Sequence, residues 1–397
     1  MIPTYISPGA AVLVTPWLGC WRDERSPGRA VKITRIEVFS YRLQYQHGNY
    51  VMSLGRQATH EIGTLVRITA SDGIDGWGEI TPLGSTYLPT YAGSIRAALQ
   101  TLGEVLLGHD PTNIGRVSRA MDMALRGHGY AKSALEMACW DIFGKAVGRP
   151  LADLIGGRLN DDFPLYEAVP MGTPAEMAEF VRARGEAGIA RFQLKVGGDP
   201  ADDVARVMAA RAAAPDGAVI VADANGGWQL LQARRAIRGM EGLDVLVEQP
   251  CRETPECALA HRGSTLPMVL DESVVTVADL FAARDAGALA VNLKVSRVGG
   301  LARTAAMRDV AQELGLSVSL EDMWGGDVIT AAVSHLAAST SPDHLMFVSF
   351  FNDWTDGHVA GHEPRSANGR GRAPAAAGLG IEVDAARLGE PVFVAAG

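Results

Sequence analysis

Five short strings each place an ionisable group where an apolar run stops: Lys195 in FQLKVGG, Asp223 in ADANGGW, Glu248 in VEQP, Asp271 and Glu272 in LDES, and Lys294 in VNLKVSRVGG. Carboxylates and lysines at strand ends are the groups needed to remove a proton from carbon beside a carboxylate held on a divalent cation. The lysines move the proton and the cation stabilises the charge left behind, so both residue types have to face one point.

Asp223, Glu248 and Asp271 end three successive apolar runs and are expected to aim at one spot. Left alone, such charges repel and some of them protonate. A hard cation resolves this, and Mg2+ takes a few carboxylates plus water or substrate oxygens. An isolated acid at such a place caps the following helix; three on neighbouring strands favour a metal. Spacing does not decide whether Asp271 or Glu272 faces the cation. Asn225, just beyond Asp223, is expected on the same strand face, in reach of a ligand water or a substrate carboxylate.

Lys195 ends the second and Lys294 the sixth of the strands assigned below, so they approach the site from opposite sides. Lysine is rarely placed inside a barrel for packing. Near a cation and each other, both ammonium groups are expected to have lowered pKa values, in the range useful for a general base. The alternative is a structural ion pair with Glu248 or Glu321.

The elements that must position these groups follow a regular rhythm. After about residue 160, short β-branched runs alternate with Ala- and Arg-rich helical stretches, and eight runs read as strands: LYEAV, RFQLKV, AVIVADA, DVLVEQP, MVLDES, AVNLKV, SVSLEDMW and HLMFVSF. They recur at roughly 22–27 residues, the length of one βα unit. They lack strict alternation, as parallel strands buried on both faces do. The fold class is therefore α/β, with a TIM-like (β/α)8-type barrel over residues 161–361. An open doubly wound sheet competes, but no GxGxxG follows a first strand, and polar residues end many strands instead of one switch point.

Residues 31–160 read as an α+β capping domain. VKITRIEVFSYRL and THEIGTLVRITASDGIDGWGEI form an antiparallel meander turning at Ser71-Asp72-Gly73. In AKSALEMACWDIFGKAVG the apolar spacing is helical and stops near Gly148-Arg149-Pro150; Lys132 and Glu136 are assigned there to an exposed face and to capping. Residues 362–397, rich in Gly, Ala and Pro, are expected to pack back onto the capping domain.

Bulk properties exclude several classes of function. The 397 residues, 47% hydrophobic and 20% charged, suffice for one barrel and a companion domain. With 36 basic against 45 acidic residues the net charge is −9, and no basic stripe carries aromatics, so a small molecule and not nucleic acid is the expected partner. Cys20, Cys139, Cys251 and Cys257 form no CxxC, which points away from zinc and disulfides and toward the cytoplasm. No apolar stretch approaches the roughly 20 residues of a membrane span. Residues 1–30 read as a disordered leader whose apolar run is broken by Pro8 and Pro16 with no basic segment before it; translation starting at Val31 would account for it.

With lysines on strands two and six and DxN, E and DE strings between them, the chain resembles the muconate-lactonizing subgroup of the enolase superfamily, over nearly its whole length from Val31. The resemblance implies a (β/α)7β form of the barrel, Mg2+ on Asp223, Glu248 and Asp271, a lysine base and an ene-diolate intermediate. Departures narrow it. The KxK usual on strand two is Gln193-Leu194-Lys195 here, and no His-Asp dyad of the mandelate racemase kind marks strands six and seven. Strand eight runs into SFFND without the DxD of dipeptide epimerases.

GNYVMSLGR from Gly48, STYLPTYAG from Ser85, FQLKVGGDP, EDMWGGD from Glu321, and ANGR and GLGI of the tail are similar to the cis-3-hydroxy-L-proline dehydratases and their relatives, the proline betaine and 4-hydroxyproline betaine 2-epimerases. That likeness implies that Lys195 takes the α-proton of an S-configured substrate while Lys294 faces the opposite side of the ring. Dehydration to Δ1-pyrroline-2-carboxylate follows when Lys294 protonates a departing 3-hydroxyl; 2-epimerisation follows when it returns a proton to carbon. In cis-3-hydroxy-L-proline the hydroxyl is trans to the α-hydrogen, which suits anti elimination between opposed lysines.

The same likeness places Tyr50, Met52 and Ser53 in a capping-domain loop over the mouth. Trp324 lies against the substrate ammonium, where a cation–π contact contributes about 0.5–2 kcal/mol, or serves as a hydrophobic plug. Glu321 and Asp322 orient Lys294 or meet the substrate amine. A muconate-type cycloisomerase and a non-catalytic binding barrel are the remaining alternatives, and a homo-oligomer is the expected assembly.

Overall fold

Alternating apolar and polar residues over Ile33–Gln44 and His60–Ala70 build a long antiparallel pair, running from Ile33 beside Ala70 to Gln44 beside His60. The structure, a computed structural model, describes residues 31–397; the leader read at 1–30 lies outside the described residues. Asp75–Ile80 joins through a tight turn at Gly73, whose φ of +87° suits glycine. Phe393–Ala396 adds a fourth strand on the far side of Ile33–Gln44.

One face of this sheet packs Ile36, Val38, Val66 and Ile68 against the helices Ala92–Leu106, Ile114–Ala124 and Gly129–Val147. The third helix comes unusually close because Gly76 and Gly78 face it. A Cβ at Gly78 would run into the carbonyl oxygen of Ala134, and one at Gly76 into that of Ala138. Gly148, left-handed at φ 67°, ends the helix.

Lys132 and Glu136 are not on an exposed face, because this helix is covered on both sides. Lys132 donates to Asp122 at 2.8 Å. Glu136 accepts from the N–H groups of Leu301 (2.7 Å) and Ala302 (2.9 Å), so it caps the barrel helix Leu301–Glu313 and not its own.

The eight strings read as barrel strands form one parallel sheet: Glu167–Val169, Arg191–Lys195, Val219–Asp223, Leu246–Glu248, Met268–Leu270, Ala290–Lys294, Ser317–Glu321 and Leu345–Val348. The N–H of Tyr166 donates to the carbonyl of Val348 at 3.0 Å and links the last strand to the first. A helix of eight or more residues follows each of the first seven strands, and the eighth runs into the 3-10 turn Phe351–Asp353, so the barrel is (β/α)7β. Phe192, Leu194, Ile220 and Ala222 pack outward under the helices, which leaves Gln193, Lys195 and Asp223 on the inner face.

Capping domain and barrel are joined by a buried carboxylate. Glu79, on strand Asp75–Ile80, accepts from the N–H groups of Gly326 (2.7 Å) and Ile329 (2.9 Å) at the start of helix Asp327–Ala338, and from the Tyr41 hydroxyl. Helix N-termini favour such an anion, but burial dominates and pushes Glu79 up to about 7. Beyond residue 361 the chain serves both parts: Leu379 donates its N–H to Asp141 of the capping helix at 2.8 Å and also lies in the barrel's outer core. Among the described residues no helix is long and apolar enough to cross a membrane.

Candidate active site

Ladder register decides what each lysine meets. Lys195 pairs in register with Asp223, and Asp223 with Glu248, so three neighbouring strands end at one level. Lys195 Nζ donates to Asp223 Oδ2 at 2.5 Å and to Gln193 Oε1 at 2.7 Å. The other end of the Gln193 amide donates to Glu248 Oε2 at 2.9 Å. Burial disfavours the Lys195 ammonium, yet Asp223 and its other neighbours outweigh burial and hold its pKa above the ordinary lysine value. The group nearest Lys195 is a carboxylate, not the second lysine.

On the opposite side Lys294 pairs in register with Glu321. Its Nζ lies 2.9 Å from Glu321 Oε1 and 3.1 Å from Asp271 Oδ2. Glu321 also accepts from the Tyr166 hydroxyl and, at 2.6 Å, from the Asn292 amide, which reaches Glu248 Oε1 at 3.2 Å. A continuous chain of polar groups therefore crosses the barrel from Lys195 to Lys294. Burial, then Asp322, pushes Glu321 well above the carboxylate range.

Asp322 lines the same cavity as Lys294 but takes its hydrogen bonds elsewhere. It accepts from the hydroxyl and N–H of Ser296 and from the N–H of Met323, so it anchors the segment just after Lys294. Burial raises it to about 6.

Asp271 and Glu272 both point inward, to different partners. Arg297 Nη1 donates to the Asp271 carbonyl at 2.6 Å and to its Oδ1 at 2.7 Å. Against burial, Arg297 and then Lys294 hold Asp271 down to about 2. Glu272 Oε1 accepts from the Tyr87 hydroxyl at 2.6 Å and from Asn225 Nδ2 at 3.1 Å. Asn225 is not on the strand face of Asp223: the strand ends at Asp223, and Asn225 adopts a left-handed turn at φ 46°, folding its amide back to Asp223 Oδ2 at 2.8 Å.

Among the described residues no three His, Cys, Asp or Glu side chains close on one point as a finished metal cage. Around Asp223, Glu248 and Asp271, the side chains of Lys195, Lys294, Arg297, Gln193 and Asn292 engage the carboxylate oxygens. The donor set nevertheless fits a hard cation. Burial above all, and then the charges of Asp223 and Asp271, push Glu248 well above the carboxylate range. Asn225 Oδ1, Glu272 Oε2 and Asp271 Oδ2 are buried without a hydrogen-bond partner among the described residues, the last lying 3.1 Å from Lys294 Nζ. Oxygen ligands of this kind are those Mg2+ takes.

The mouth is closed by aromatic groups. Trp324 is buried, its ring centre 5.2 Å from that of Tyr50, 5.6 Å from Tyr45 and 5.8 Å from Phe351. Its indole N–H has no partner among the described residues. Tyr50, Met52, Trp324 and both lysines line a cavity of about 20 Å³, room for little more than one water. A ring substrate does not fit the cavity as it stands. Ser53 does not line this cavity; it is buried against Gly197 and Gly227 and accepts from Arg56.

Tyr87, Tyr166, Asn292 and Arg297 were not singled out from sequence. Asn292 was legible, since it lies two residues before Lys294 and so on its face of the strand. Tyr87 and Arg297 carried no such signal, because Tyr87 comes in on a turn and Arg297 on the short helix Val295–Val298, where strand alternation does not hold.

Residues 35–156 match the mandelate racemase / muconate lactonizing enzyme N-terminal domain, and residues 176–387 the enolase C-terminal domain-like family. The chain belongs to the enolase superfamily, in its mandelate racemase and muconate lactonizing branch. It is 42% identical over 363 residues to the cis-3-hydroxy-L-proline dehydratase of Roseibium aggregatum, covering 91% of this chain and 99% of that relative. It is 29% identical over 314 residues to the N-succinyl-L-Arg/Lys racemase of Bacillus cereus, covering 78% and 85%. The crystal structure of a member of the enolase superfamily from Roseovarius nubinhibens ISM, complexed with magnesium, matches with a TM-score of 0.86 at 34% identity, over 92% of this chain and all (100%) of that one.

Proposed function

We propose that the protein dehydrates cis-3-hydroxy-L-proline to Δ1-pyrroline-2-carboxylate. The observation that carries this reading is the pair of buried lysines, Lys195 and Lys294, on the second and sixth of eight strands, in a chain so similar to a dehydratase of that substrate. Lys195 takes the α-proton from one side of the ring, and Lys294 protonates the departing hydroxyl from the other. Elimination gives an enamine, and tautomerisation gives the cyclic imine.

Lys195 begins as a cation clamped to Asp223. To act as a base it has to lose its proton and that contact. Asp223, Glu248 and Asp271 would hold Mg2+, which would supply the counter-charge these carboxylates then need and draw electrons from the substrate carboxylate. Gln193 keeps Lys195 aimed without adding a second positive charge beside it, and the aromatic wall excludes water.

The second reading is 2-epimerisation of proline betaine or 4-hydroxyproline betaine. It is favoured by the aromatic enclosure of Trp324, Tyr50, Tyr45 and Phe351, which suits a quaternary ammonium. Proton NMR in D2O with Mg2+, on cis-3-hydroxy-L-proline and L-proline betaine in parallel, separates the two. Conversion of the first to the pyrroline supports the dehydratase; α-deuteration of the second without elimination supports the epimerase. Inertness toward both rejects the substrate class.

A further inference from the structure

We propose that Tyr87 is a positioning residue: it latches a capping-domain loop onto Glu272 and aims the Lys294 ammonium. The inference rests on the two-lysine reading above. Tyr87 lies between strand Asp75–Ile80 and helix Ala92–Leu106, far along the chain from the barrel residues it meets. Its hydroxyl donates to Glu272 Oε1 at 2.6 Å and receives Lys294 Nζ at 3.5 Å. Two cations flank its ring, Lys294 Nζ at 5.7 Å and the Arg56 guanidinium at 5.2 Å from the centroid. Arg56 in turn donates to the carbonyls of Ser53 (3.0 Å) and Asn225 (3.5 Å). Two capping loops and the ends of barrel strands three, five and six thus converge on one phenol.

Tyr87 contacts one lysine directly. Asp271 and Glu321 hold Lys294 by charge, which fixes direction weakly; the phenol oxygen adds a neutral, directional partner. Removing the hydroxyl also takes from Glu272 its 2.6 Å donor and leaves Oε1 with the Asn225 amide, at a carboxylate whose other oxygen lacks a partner among the described residues. Glu272 is then free to compete for the Lys294 ammonium. Tyr87 does not touch Lys195, whose hydrogen-bond partners are Gln193 and Asp223; the link between them runs indirectly through Glu272 and the Asn225 amide to Asp223.

The experiment compares the Mg2+-loaded full chain with its Tyr87→Phe variant on cis-3-hydroxy-L-proline in D2O, following α-deuteration of remaining substrate and elimination together. Abstraction belongs to Lys195 and leaving-group protonation to Lys294. The variant is expected to lose about tenfold in elimination, with deuteration retained and KM nearly unchanged, so the deuteration-to-elimination ratio rises about tenfold. Equal loss in both rates, or an unchanged ratio, overturns the positioning role.

Hydrogen exchange of the peptides covering residues 81–91 tests the latch without any substrate. Tyr87→Phe is expected to exchange there about tenfold faster than the wild type; equal rates overturn the latch. A wild-type protein inert toward the substrate tells against the proposed function, and the exchange measurement still decides the latch.

Discussion

Gln193 stands two residues before Lys195 on one strand face and accepts a hydrogen bond from its Nζ at 2.7 Å. The same amide donates to Glu248, so one neutral group serves both a cation and an anion. Gln193→Leu leaves Lys195 with one partner fewer and strips Glu248 Oε2 of its donor. We expect a stability loss of about 1–3 kcal/mol, read as a lower denaturation midpoint, together with reduced turnover. An unchanged midpoint would show that water replaces the amide at no cost.

Lys195→Ala and Lys294→Ala should each lower turnover by about 10²–10⁴-fold or more, the contribution of a positioned acid or base. Circular dichroism should show both variants folded. Either variant turning over within tenfold of the wild type refutes the two-lysine mechanism.

Exhaustive chelation should abolish turnover, and added Mg2+ should restore it. Since a cation bound to the folded state alone stabilises that state, Mg2+ should also raise the melting temperature in proportion to its occupancy. Retained activity after chelation, with no metal found by elemental analysis, would reject Mg2+ as the cofactor.

His335 provides a pH dependence remote from the site. Its Nδ1 accepts from the N–H of Ala152 at 3.2 Å, so its Nε2 carries the proton donated to the Leu379 carbonyl at 3.1 Å. Burial pulls its pKa from 6.5 down to about 4. The unfolded chain therefore binds a proton first as pH falls: the stabilisation is full above about 6.5 and is lost progressively toward 4, reaching at most about 3 kcal/mol. His335→Gln keeps an acceptor and a donor without titrating. Denaturation midpoints of the two proteins should draw together between pH 6.5 and 4; parallel profiles would exclude His335 as the cause.

Gly78→Ala places a methyl group against the Ala134 carbonyl in the capping domain. Because backbone on both sides has to yield, a loss of about 1–3 kcal/mol is expected. Chemical denaturation measures it, with Gly73→Asn at the exposed turn as a mild comparison, since asparagine tolerates its positive φ.

The strand ends were legible because a parallel barrel buries its strands on both faces, so each one shows as an apolar run closed by a polar residue. Lys195, Asp223, Glu248, Asp271 and Lys294 could be placed in this way, and so could the capping meander with its turn at Gly73. Lys132 and Glu136 misled because a helix pattern shows which residues share a face but not what second layer covers it; here that layer includes the start of Leu301–Glu313. Asn225 misled because alternation holds only while the strand lasts.

Sequence alone thus determined the order of the strands, the residue types at their ends and the class of chemistry these can perform, since those follow from local periodicity. Tertiary structure decided which partner each charge meets: Tyr87 with Glu272, Arg297 with Asp271, Tyr166 with Glu321, and Lys195 as a clamped cation. Such pairs join loops and strands distant in the chain, and a buried charge takes its energy from the nearest opposite charge in space, which no local pattern encodes.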